Sequence, residues 1–337
     1  MTHAGPLLAA LRDPATTAAL DGEGWTALLA VARAEQLLGT LAWRLDGLAM
    51  PASVAAVLSD AREAAEAGRR AALWEAEMAR RALAPIGCRV VLLKGTAFVA
   101  AGLMAGQGRQ IGDLDLLVPR EALSAVEEAL VAAGWEWVKP DPYDDLYYRT
   151  WMHELPPLIH RIRDRMIDVH HTILPPTARP APDAAMLIGE AERLENGLFV
   201  LSPEHLVVHA AAHLLADGDL SGGLRNLWDI DRLCREFGEH REGFYPRLLD
   251  EAGRHGLMPA VQRALRLARS VFATPVPVGK PQWSDRLFRR RLLARDGWGR
   301  GTRPVTRWGF YVRSHWLRMP PALLARHLWI KWRRRNA

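Results

Sequence analysis

Three aspartates in two short apolar runs carry the most chemistry in this sequence. Asp113 and Asp115 flank Leu114 in DLDLLV (113–118), and Asp168 lies in MIDVHH (166–171). On a strand alternate residues share a face, so Asp113 and Asp115 point one way while Leu114, Leu116 and Val118 point into the core. Two carboxylates held side by side raise each other's pKa unless a cation sits between them. Mg²⁺ answers that need, because it is commonly held by one or two carboxylates together with substrate phosphates. Asp168 falls on a further strand, with His170 on its own face two residues on as a substrate-positioning candidate. It adds a third carboxylate, for a second ion or for a general base. Upstream, Lys94, Gly95 and Thr96 stand where an apolar run ends. There a strand turns into a helix, and its backbone N–H groups can hold a phosphate chain. Lys94 and Arg109 are the candidate phosphate contacts, the arginine through its fork and the lysine as a point charge. The competing reading of Lys94 is a salt bridge to a nearby acid. A lone Asp-x-Asp or Gly-Thr is common on solvated surfaces. What points to function is the order: strand, Gly-Thr, helix, basic residue, strand with the paired Asp, later strand with Asp.

These side chains need elements to hold them. Residues 88–93 are β-branched and apolar, bounded by Gly87 and Gly95, and read as a buried strand. A helix is expected over 96–104, a strand over 113–118, a helix over 121–133, and strands over 135–138, 146–155 and 166–173. The Ala-rich stretch 52–84 sets Val54, Val57, Leu58, Ala61, Ala65, Ala72 and Met78 at helical spacing, with Pro51 at a first-turn position. Further helices are expected over 203–216, 224–237, 243–255 and 258–272, then a linker over 274–281. The fold class is therefore α/β, in an α+β arrangement: a small mixed sheet flanked by N-terminal and C-terminal helical regions. The expected divisions are a helical region over 1–85, a core over 86–175, a second helical region over 176–275 and a basic Trp/Arg-rich helical tail over 276–337.

Among 337 residues, 49% are hydrophobic and 24% charged, which excludes a disordered, collagenous or small disulfide-stapled molecule. Only Cys88 and Cys234 occur, so there is neither a disulfide framework nor a Cys-built zinc site. Both read as core residues of a protein in a reducing, cytoplasmic setting. No signal-peptide pattern is expected at the start, nor a membrane span, since no run of 18 uncharged apolar residues exists. The net charge of +6 is uneven. Residues 281–337 hold 15 Arg and Lys against Asp285 and Asp296, a balance of +13 that leaves −7 on the other 280 residues. Such a tail suits an anionic partner, nucleic acid or a membrane surface. It also holds Trp283, Trp298, Trp308, Trp316, Trp329 and Trp332, and that much apolar surface favours a packed helical cap. His209 and His213 have the i, i+4 spacing of zinc ligands, but no Glu follows His209 and no third ligand is evident, so packing or hydrogen bonding is expected, with lining of the acceptor site as the alternative. His171 should face away from His170. Asp229 and Asp231 do not share a helix face, and one of them is expected as a cap or ion-pair member.

The segment VVLLKGTAFVAAGLMAGQGRQIGDLDLLV (90–118), with IDVH (167–170), resembles the nucleotidyltransferase superfamily related to DNA polymerase beta. It is most similar to bacterial nucleotidyltransferase family proteins that carry L-K-G, R-x-x-x-D-x-D and I-D-x-H, and it also resembles toxin-type nucleotidyltransferases with K-G-G and D-x-D. The likeness covers about 90–173 and continues more weakly through LSPEHLVVHAAAHLL and LRNLWDIDRL. It implies that Gly95 and Thr96 match the Gly-Ser loop gripping a triphosphate, with Thr keeping the hydroxyl. It implies that Asp113 and Asp115 are metal ligands and Asp168 the third carboxylate. The activity implied is in-line attack on the α-phosphorus of an NTP with Mg²⁺, or Mn²⁺ in its place. The acceptor stays open among a small molecule, a peptide or protein, and an RNA end. The alternative of another class is a non-catalytic nucleotide- or RNA-binding module; a complete set of three aspartates argues against decay.

Overall fold

Short polar caps and left-handed turns divide the first 85 residues into helices. These are α1 (Gly5–Arg12), α2 (Gly22–Ala34), α3 (Leu38–Arg44) and α4 (Ala52–Leu83). Asp21 caps α2 by accepting the Gly24 N–H at 2.8 Å. α4 buries the expected stripe, Val54, Leu58, Ala61, Ala65 and Ala72. Pro51 is its N-cap, one place outside the first turn. The computed structural model describes residues 3–138 and 142–318, with Leu324, Trp329 and Arg333.

The centre is a seven-stranded mixed sheet in the order β3-β4-β5-β2-β1-β7-β6. β1 (Val91–Leu92) pairs antiparallel with β2 (Leu114–Leu117) and parallel with β7 (Phe199–Val200). β2 runs parallel to β5 (Met166–His170). β4 (Leu158–His160) joins β5 to β3 (Trp135–Trp137), both antiparallel, and β6 (Glu192–Arg193) closes the other edge. β2 is buried along its whole length, which explains its unbroken apolar run and makes Asp115 within it conspicuous. The helices near the sheet are α5 (Lys94–Ala100), α6 (Leu123–Ala132) and α7 (Pro142–Trp151). α4 lies against α5, α6 and β2.

Two expectations change here. The strand expected over 146–155 is helical through Trp151, in α7. Its tyrosines and tryptophan favour strands, but Tyr147 and Trp151 meet at i, i+4 with ring centroids 5.8 Å apart, and Asp145 pairs with Arg149 at the same spacing. The helix expected over 96–104 stops at Ala100, and a separate 3₁₀ turn covers Met104–Gly106.

The later helices are α8 (Ala184–Gly189), α9 (Pro203–Ala212), α10 (Gly223–His240), α11 (Phe244–Arg254) and α12 (Met258–Phe272). α9 runs on into a π-helical turn, His213–Asp217. Trp228, Phe244 and Phe272 are fully buried between these helices. In the tail, α13 (Asp285–Leu292) and α14 (Pro304–Arg318) pack through Phe288 and Phe310, whose rings stand 4.9 Å apart. The tryptophans do not form that packed cap. Trp283, Trp298, Trp308, Trp316 and Trp329 are all exposed. The inner face is instead completed by Arg263 and Arg313 lying over Phe288 at 4.4 and 5.1 Å. Trp332 and the helical reading of most of 319–337 lie outside the described residues. No helix among the described residues is long and apolar enough to cross a membrane.

Candidate active site

Two neighbouring strands and one strand-to-helix turn bring the acidic residues together. β2 and β5 are parallel with Asp115 opposite Asp168, so both carboxylates stand side by side on one face of the sheet. Asp113 enters two residues earlier, before β2 begins, and is exposed where Asp115 is buried. At the end of β1 the chain turns into α5 through Lys94, whose φ of 50° is a left-handed conformation unusual for a lysine. From there Lys94 Nζ donates to Asp115 Oδ1 at 2.6 Å. His170 reaches the same oxygen from β5, its Nε2 at 3.0 Å, and its Nδ1 lies 3.3 Å from Glu154. His153, Glu154 and His170 hold their ligand-capable atoms within 4.8 Å of one another.

Burial and like charge set the protonation here. Burial opposes the Asp115 charge, but Lys94 and His170 hold its carboxyl below the usual carboxylate range. Burial likewise opposes the Lys94 charge, and Asp115 more than offsets it, so the ammonium pKa is raised. Asp168 makes no hydrogen bond to either cation, and their charges offset its surroundings only in part. Burial, then the charges of Asp115 and Glu154, push its carboxyl up to about 7. Its Oδ1 is buried with no hydrogen-bond partner. Asp113 is raised too, by its partial burial and by Asp115. His153 is driven well below the ordinary histidine value by burial and by neighbouring His170 and Lys94. A buried, unpartnered carboxylate oxygen beside a second carboxylate is an arrangement that a further cation would relieve, and the oxygen donors of the three aspartates suit a hard divalent ion.

A second wall comes from the helices. Asp229 on α10 is buried and accepts from both Arg109 and Arg225. Arg225 also donates to the Ala105 carbonyl at 2.9 Å, tying α10 to the 3₁₀ turn before Arg109. The Arg109 guanidinium lies over Phe98 at 5.5 Å and rests on Gly95, where an added Cβ would strike its Nε and sit 3.1 Å from its Cδ. Between the walls opens a polar cavity of about 550 Å³, the size of many ligand sites. Lys94, Gly95, Arg109, Asp113 and Asp115 line one side, and His213, Asn226 and Arg295 the other.

Of the residues expected from sequence, Lys94, Gly95, Arg109, Asp113 and Asp115 line this cavity. Asp168 lies beside Asp115 in the sheet. Thr96 is buried and its hydroxyl has no partner. His170 is buried against Asp115, and His171 makes a separate contact with the Met152 carbonyl. Lys94 and Arg109 each also hold the ion pair that was the competing reading for lysine. Asp231 is paired as well as Asp229, with Arg232 and Arg235. His209 and His213 were expected to pack. His209 is buried and His213 half-buried, and both line a small pocket beside Lys94 and Arg109, in keeping with the alternative. Sequence reasoning missed Glu154, Asn226 and Arg295, which no motif marks. Cys234 is buried and Cys88 half-buried.

Residues 21–273 match the family model described as an uncharacterised nucleotidyltransferase. No curated protein matches the chain.

Proposed function

The chain belongs to this nucleotidyltransferase family, and on that premise we propose that it transfers a nucleotidyl group from an NTP to a hydroxyl-type acceptor. The observation that carries the reading is the Asp115–Asp168 register on adjacent parallel strands, with a buried Asp168 oxygen left without a hydrogen-bond partner. Asp113, Asp115 and Asp168 would hold Mg²⁺ or Mn²⁺. A divalent ion there neutralises phosphate oxygens and polarises the α-phosphorus. The chain's own groups do the rest. Lys94 and Arg109, on the cavity wall, supply positive charge to the triphosphate, with Gly95 leaving the backbone approachable. Asp229 and Arg225 keep the Arg109 fork aimed, so that less conformational freedom is lost on binding. The acceptor oxygen attacks the α-phosphorus, the α–β P–O bond breaks, and pyrophosphate leaves. Asp168, whose carboxyl sits at about 7, takes the hydroxyl proton.

The 2.6 Å contact of Lys94 with Asp115 favours one second reading, because it already gives that carboxylate a cation. On that reading the cavity binds a nucleotide without turning it over. One experiment separates the two: purified protein, Mg²⁺, each labelled NTP in turn, and an extract of the source cell. Label on one acceptor species, with release of pyrophosphate, supports transfer and identifies acceptor and base together. Saturable NTP binding with no pyrophosphate from any NTP overturns it.

A further inference from the structure

The tail helix α14 has two faces of opposite fate. Phe310 and Ser314 are buried, and Arg313 donates to the Leu215 carbonyl at 2.7 Å on the π-helical turn that carries His213. The opposite face stays in solvent, and it is apolar. Val305 is 81% exposed, Trp308 67%, Val312 44% and Trp316 50%, at i, i+3, i+7 and i+11, which is one continuous helical stripe. Tyr311 is exposed beside it. From Pro304 onward the sequence has eight Arg and Lys and no acid.

We propose that α14 docks this protein on an anionic lipid surface, with the Val305–Trp308–Val312–Trp316 stripe in the headgroup region and the arginines against lipid phosphates. An apolar stripe of this size on a helix of a soluble fold marks an interaction surface. Charge selects the occupant: a segment with eight cations and no acid repels a second copy of itself and is drawn to an anionic plane. The aromatic character agrees, since Trp and Tyr settle at the level of lipid headgroups. Single-stranded nucleic acid is less suited. It binds by stacking bases on aromatic rings, and Val312, the one stripe residue between the two tryptophans, interrupts such a platform. Helices of this kind lie in the interface plane and do not cross it.

Co-sedimentation of the full chain with phosphatidylcholine vesicles, with and without phosphatidylglycerol, tests the assignment. The protein should pellet with the phosphatidylglycerol vesicles and much less with phosphatidylcholine alone. Trp308→Ser with Trp316→Ser should weaken partitioning by about tenfold or more, because binding scales with the apolar area inserted. Both side chains point to solvent, so the double variant should melt like the wild type. Should that variant misfold, quenching of wild-type tryptophan fluorescence by lipids brominated on their acyl chains decides the matter on the unaltered protein. Failure to pellet with anionic vesicles, equal pelleting of a folded double variant, or absent quenching overturns the proposal. So does a dimer in light scattering that the double variant converts to monomer, or tryptophan-dependent binding of single-stranded RNA in the absence of vesicle binding.

Discussion

Asp113 and Asp115 are two residues apart and of one type, yet their surroundings make them different experiments. Asp113 is exposed and carries no side-chain hydrogen bond to a cation, so Asp113→Asn should abolish NTP turnover while the thermal melt stays at the wild-type temperature. Asp115 is buried and anchors both Lys94 and His170. Asp115→Asn should abolish turnover and also cost on the order of 2–3 kcal/mol in denaturant unfolding, because buried His170 and half-buried Lys94 lose an ionised acceptor. Equal stability of the two variants would show that the Lys94–Asp115–His170 contacts contribute nothing to the fold. Gly95 gives a third residue-level test. Its backbone is helical and tolerates Ala, but the new methyl would displace the Arg109 guanidinium. Gly95→Ala should therefore raise KM for the NTP by about tenfold. An unchanged KM would remove Arg109 from the nucleotide contacts.

At the scale of elements, long periodic helices were legible and short pairings were not. The stripe of α4 and the extents of α10, α11 and α12 follow directly from their apolar spacing. β4, β6 and β7 are two or three residues long, too short to show a period, and β7 exists because β1 offers it a partner. The three aspartates could be read because strand alternation and order in the chain constrain them. Glu154, Asn226 and Arg295 could not, since only the closed fold brings them near Lys94. The connection carrying Arg109 is positioned by another element. Gly108 has φ of 63°, and an added Cβ would run into the Gly39 backbone at α3. Strain and collision act together there, so Gly108→Ala should destabilise by at least about 2 kcal/mol. Urea unfolding measures it; a loss under 0.5 kcal/mol, roughly the surface-substitution range, would mean that α3 does not fix this connection.

Across the whole molecule, the basic tail is fastened to the candidate site. Arg295 donates to buried Glu35 at 2.7 Å, and the same Glu35 accepts the Leu224 N–H near the start of α10 at 3.3 Å. Removing residues 281–337 would leave Glu35 buried without its cation and take Arg295 off the cavity wall. That truncation should cost about 3–5 kcal/mol and lower the melting temperature. If the truncated protein melts like the full chain, the Glu35–Arg295 pair is not structural. The β1–β7 ladder sets a different limit, one of time. Val91 pairs with Phe199, so a ribosome must add more than a hundred residues before β1 has its second neighbour. At about 5–20 residues per second this takes roughly 5–20 s. Over the last part of that interval, from Asp168 to Phe199, the nascent chain holds the aspartates of β2 and β5 but has an open sheet edge at β1, the kind of edge that recruits other strands. Slow codons placed just before Phe199 should therefore lower the soluble yield more than the same codons placed just after Val200.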